Sequence, residues 1–78
     1  MYNEVLEKVI KVLSVVTSKD EITEDNELLE DLDIDSMNLL MILSSMEAEF
    51  GVHIDENETS KMFTVKDIAE IIVELKSK

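Results

Sequence analysis

Apolar residues recur at helical spacing in four stretches of this chain, separated by polar segments of unequal length. The first stretch runs from about Asn3 to Val16, where Val5, Leu6, Val9, Val12, Leu13 and Val16 fall on one helical face. Asn3 is placed to cap it, Glu4 and Glu7 sit in its first turn, and Lys8 and Lys11 follow, as the macrodipole prefers. A long polar connection from Thr17 to Asp35 follows, with Ile22, Leu28, Leu29, Leu32 and Ile34 expected as inward anchors. Connections of this length inside a compact domain are uncommon and are often functional.

The second helix is predicted over Ser36 to Phe50. Asp35 is a strong N-cap, Ile34 and Leu39 occupy the positions of a hydrophobic staple, and Gly51 fits a left-handed C-terminal cap. Leu39, Ile42, Leu43, Met46 and Phe50 form its core face. The opposite stripe, Met37, Met41, Ser44 and Ala48, carries no charge at all, which is unusual for the outer side of a helix. A short third helix is expected around Glu56 to Met62. The fourth begins at the Thr64 cap, with Asp67 completing a variant capping box. Val65, Ile68, Ala69, Ile72 and Leu75 supply its buried face, and Lys76 and Lys78 suit its C-terminus. With no proline, one glycine and no strand pattern, the expected fold is all-α: a four-helix bundle with a short third helix and a long first loop.

Length and charge narrow the functional classes. Seventy-eight residues make one domain, residues 1–78, of modest stability. The chain has no basic-apolar leader and no stretch of membrane-spanning length, so it is expected to be cytoplasmic, and an initiator Met1 favours a free-standing monomer over an excised synthase module. Nineteen acids face seven lysines, for a net charge of −12. Fourteen of those acids lie between Asp20 and Ser60, a window without a single cation. Such a surface repels nucleic acid and anionic membranes. It is either a solvated face or a docking surface for partners with basic patches.

Most catalytic chemistry is excluded by residue type. There is no cysteine, and the single histidine, His53, would have to reach Ser36 across the bundle to build a triad. Asp31, Asp33 and Asp35 alternate like calcium ligands, but Ser36 and Ile42 stand where such a loop needs glycine and glutamate. No metal site is expected. What remains is Asp33-Ile34-Asp35-Ser36-Met37. Ser36 at a helix start places a hydroxyl among unpaired N–H groups, where an attached phosphate would be stabilised. From spacing alone, an ordinary helix-start residue is the favoured reading.

Glu30-Asp31-Leu32-Asp33-Ile34-Asp35-Ser36-Met37 resembles the signature of the acyl carrier protein family, an acidic-leucine step leading to Asp-Ser-Leu at the head of the second helix. The similarity continues through Glu47-Ala48-Glu49-Phe50-Gly51, Ile54-Asp55-Glu56 and Thr64-Val65-Lys66-Asp67, covering nearly the whole chain. The resemblance implies a carrier and not an enzyme. Ser36 would bear 4′-phosphopantetheine, added from coenzyme A by a phosphopantetheinyl transferase, with Asp35 and Met37 completing the attachment motif. The arm would hold acyl or aminoacyl groups as thioesters for loading and processing enzymes with basic or apolar docking patches. Met37, Leu40, Met41, Ser44, Glu47 and Ala48 would form the docking face. Leu39, Leu43, Met46, Met62 and Ile68 would line an acyl pocket, although Met46 and Met62 also suit plain core filling.

Four positions depart from the family pattern. Asp33 stands where glycine is usual, and Met37 where leucine is usual, the latter as in D-alanyl carriers. Asn38 and Met41 replace acids that partners in fatty-acid synthesis read, which points to a specialised biosynthetic pathway. A reading from another class is an unmodified acidic adaptor that binds a basic protein.

Overall fold

The computed structural model describes residues 1–77, so Lys78, expected to suit the end of the fourth helix, lies outside the described residues. Among the described residues there are four helices and no strand: α1 (Tyr2–Thr17), α2 (Ser36–Phe50), α3 (Glu56–Thr59) and α4 (Val65–Lys76). Val5, Val9 and Leu13 of α1 are buried at one- and two-turn spacing, and Ile42, Leu43 and Met46 of α2 meet them. The α4 helix contributes Val65, Ile68, Ala69, Ile71 and Ile72. Helix α1 packs against both α4 and α2 and forms the centre of the bundle. Among the described residues no polar or charged one is buried, so the core is held by apolar burial without a buried ion pair to offset.

The ends of the helices follow their local chemistry, with two corrections. Asn3 does not cap α1. The Val5 N–H donates to the Met1 carbonyl at 3.0 Å, which starts the helix two residues earlier than the cap pattern indicates. Helix α3 stops at Thr59 and does not reach Met62. Its four residues, Glu-Asn-Glu-Thr, have no apolar face to bury, and the chain tightens into i→i+3 bonds, Lys61 N to Glu58 O and Met62 N to Thr59 O, both 3.1 Å. That turn delivers Met62 into the core. The capping box of α4 is complete: Thr64 Oγ1 accepts from Asp67 N at 3.3 Å, and the Asp67 carboxylate accepts from Thr64 N at 3.0 Å. Gly51 ends α2 in the left-handed region at φ 67°.

The long connection between α1 and α2 is ordered by backbone pairing with a segment remote in sequence. Leu28 N donates to Phe63 O at 2.9 Å, Val65 N to Asn26 O at 3.1 Å, and Lys66 N to Glu24 O at 2.9 Å. Ile22, Leu28, Leu32 and Ile34 turn inward as expected, but Leu29 is 67% exposed. The reason is local. Asp31 closes a tight turn by accepting the Glu27 N–H at 2.7 Å, and Leu28 already fills the inward position of that turn. Three further expectations are corrected in detail. Val16 is exposed at the end of α1, Leu75 is half-buried, and Ile71, left off the expected face of α4, is buried.

Candidate functional site

Asp35 fixes the start of α2. Its extended backbone (φ −86°, ψ 179°) brings Oδ1 to accept the Asn38 N–H at 2.8 Å, while its carbonyl accepts from Leu39 N at 2.9 Å. Ser36 is therefore the first helical residue. It is exposed, and its hydroxyl takes part in no hydrogen bond among the described residues. A hydroxyl so placed is free to be derivatised, and the N–H groups and dipole of the helix start favour a phosphate on it. The preceding turn is held open by Asp33, which adopts φ 55°. Aspartate tolerates that left-handed conformation, at some conformational expense, where glycine would adopt it freely.

A cleft of about 370 Å³ opens beside Ser36. Leu28, Ile34, Leu39 and Met62 contribute its apolar lining, and Glu27 and Glu30 add acids. Leu29 and Phe63 also line it, 67% and 70% exposed. Of the five residues expected to line an acyl pocket, the cleft brings together Leu39 and Met62. Leu43, Met46 and Ile68 lie in the packed core instead. Phe63 is the residue that sequence reasoning missed. It precedes the α4 cap, where a staple residue would pack inward, and its outward placement follows from the pairing of its carbonyl with Leu28.

The expected docking face splits in two. Met37, Leu40 and Met41 are 77%, 60% and 68% exposed, and Ser44 and Ala48 are exposed beside them. Glu47 is only half-exposed and already engaged. Its Oε2 accepts the Ile54 N–H at 2.7 Å and lies 3.2 Å from His53 Nδ1, fastening the α2–α3 connection. His53 follows the far end of α2, whose fifteen residues span about 22 Å at 1.5 Å each, so it cannot serve as a base for Ser36. Among the described residues no group of acids or histidine is arranged to hold a metal ion, and no helix is long and apolar enough to cross a membrane.

The geometry agrees with the likeness to known proteins. A family described as "Phosphopantetheine attachment site" matches residues 3–72. An acyl carrier protein of Rickettsia canadensis is 32% identical over 77 residues, covering 96% of this chain and 90% of the relative, and that of Rickettsia rickettsii matches to the same extent. Among solved structures, an acyl carrier protein from Thermotoga maritima superposes with a TM-score of 0.82 at 27% identity, covering 97% of this chain and 91% of that one. One from Enterococcus faecalis gives 0.80 at 28%, covering 96% and 98%.

Proposed function

The chain belongs to the phosphopantetheine-attachment family of acyl carrier proteins, and from that premise we propose that Ser36 is its attachment residue and that it serves a specialised biosynthetic pathway. As a member it is a carrier and not an enzyme, its cofactor is covalent 4′-phosphopantetheine, and it works with a phosphopantetheinyl transferase and acyl-processing enzymes. The arm supplies a terminal thiol on which acyl groups travel as thioesters.

One observation carries the assignment of Ser36: an exposed hydroxyl, free of hydrogen bonds, at the first position of a helix capped by its neighbour. In the transfer, Ser36 Oγ would form a bond to the phosphorus of the pantetheine-bearing phosphate of coenzyme A. The pyrophosphate bond breaks, the adenosine bisphosphate leaves, and the hydroxyl proton passes to a base of the transferase. Asp35 and the N–H groups of the first turn would hold the local backbone while the new phosphodiester meets the positive end of α2. The cleft next to Ser36 offers the arm or a short acyl group an apolar surface at Leu39 and Met62.

Incubation with a broad-specificity transferase and coenzyme A should add one phosphopantetheine to the intact mass, and Ser36→Ala should abolish the adduct. An adduct on Ser36→Ala would move the site elsewhere. Absence of the adduct with several transferases would favour an unmodified adaptor. The specialised pathway is supported by Asn38 and Met41, exposed positions of α2 without charge. A partner whose basic patch expects acids there would find its charges unmatched.

A further inference from the structure

The described lysines of this acidic chain are not spent on pairing with its acids. Among the described residues no lysine approaches a carboxylate within 4.0 Å; the ion pairs found join the N-terminus to Glu4 and His53 to Glu47. Two lysines line a groove between α1 and α2 that the carrier chemistry leaves unused. Its main cleft, about 380 Å³, has Val12, Val15 and Val16 on the α1 side with Lys8 and Lys11. The α2 side is Ser45 and Glu49. Val16 continues the groove into an adjoining cleft of about 310 Å³ that includes Lys19 and Asn38. Val15 is 76% exposed and Val16 is 46% exposed, with no part of the described chain covering them. From Lys8 to Val16 is about 12 Å at helical rise, about two turns of a partner helix.

We infer that this groove is a second docking surface, and that its occupant is an amphipathic helix of a protein partner, apolar on one face and acidic along its flank. The valines offer the apolar contact, and Lys8 and Lys11 on α1, with Lys19 just past its end, meet the partner's acids. Glu49 and Asp33, the acids of the two clefts, belong to α2 and to the turn before it, so the partner's acids face α1. A concave groove between two helices suits a helix better than a bilayer, and a net charge of −12 opposes an anionic membrane. At about 100° per residue, Ser45 lies about 180° around α2 from Ser36, so the two surfaces can be occupied together. The α1 side of this groove therefore differs in sign from the acidic window around Ser36.

The test uses a peptide of about 18 residues, long enough for five turns, built from leucine, alanine and glutamate as an amphipathic helix. It is added to the isotope-labelled chain at about 0.15 M salt, where charges beyond about 8 Å are screened. Amide shifts are expected at Lys8, Lys11, Val12, Val15, Val16 and Ser45 and not at Ser36, and Lys8→Glu with Lys11→Glu should weaken binding at least about tenfold. Val15→Ser, an exposed change, should weaken it without altering the helical circular dichroism. Ser36→Ala should bind the peptide unchanged, which separates this surface from the attachment reading. No shifts, shifts centred on the acidic window, undiminished binding by the double variant, or co-sedimentation with anionic vesicles through these same residues would overturn it.

Discussion

Helices α2 and α4 both open on a side-chain cap and both bury one face against α1, yet their outer faces differ. On α4 the exposed residues are Lys66, Glu70, Glu74 and Lys76, the charged surface that water requires of an amphipathic helix. On α2 they include Met37, Leu40, Met41, Ser44 and Ala48, apolar or small along most of its length. The caps differ too: α4 has a reciprocal box, whereas at α2 Asp35 alone accepts from the first turn. The two helices divide the labour. Helix α4 is written for stability, and α2 leaves its outer side to partners, since large exposed apolar patches mark interaction sites.

The sharpest way to break that division is to truncate both helices. Ile72→Ala, at a fully buried α4 position, should cost about 2–5 kcal/mol of unfolding free energy. Met41→Ser on the outer face of α2 should stay within about 0.5 kcal/mol. Urea denaturation measures both, and comparable losses would mean that the α2 stripe is part of the core after all.

A second contrast lies in recognition. Asn38→Asp with Met41→Glu gives α2 a charged face, and its holo form should be elongated by a bacterial fatty-acid system up to about tenfold faster than the natural chain. Exposed ion pairs are each worth about 0.2–1 kcal/mol, so two can approach a factor of ten. A natural chain already elongated as fast as a standard carrier, with no gain in the variant, would remove the specialised pathway.

The caps give a smaller effect. Thr64→Ala should lower stability by about 1 kcal/mol, and Asp33→Gly, which relieves the left-handed aspartate before α2, should raise it by up to about 1 kcal/mol. Thermal melts would register the opposite signs.

The smallest effect concerns the tie at the head of α4. Tyr2 Oη donates to Glu24 Oε1 at 2.8 Å, and the Glu24 carbonyl accepts from Lys66 N. Desolvation first, then the hydrogen bond to Glu24 and the charges of Glu24, Glu70 and Asp25, push the Tyr2 phenol up to about 12 from 10.0. A folded value above the unfolded one means that this contribution is full below pH 10 and is lost as pH rises from there through about 12. Tyr2→Phe should therefore show a shallower loss of stability over that interval than the natural chain. Identical slopes would show that the tie adds nothing.

What was legible came from signals a few residues long. The span of α2, its Asp35 and Gly51 caps and the Thr64–Asp67 box are local arrangements of side chain and backbone, and neighbouring residues suffice to specify them. The same holds for the outward stripe of α2, because helical periodicity assigns faces once the helix is known. Ser36 stood out for the same reason, as the residue after a strong cap. Tertiary structure decided what depends on segments far apart in the chain. The antiparallel bridge between Glu27 and Thr64, with its flanking backbone bonds, orders the loop; beside it Leu29 and Phe63 face outward, where an anchor pattern and a staple rule turn them in. Likewise Glu47 joins the α2–α3 connection, and Lys8, Lys11 and Val15 of α1 meet Ser45 of α2 across one groove. Periodicity says which side of an element is buried, but only packing brings two elements together, and the surfaces between them have no counterpart in either stretch alone.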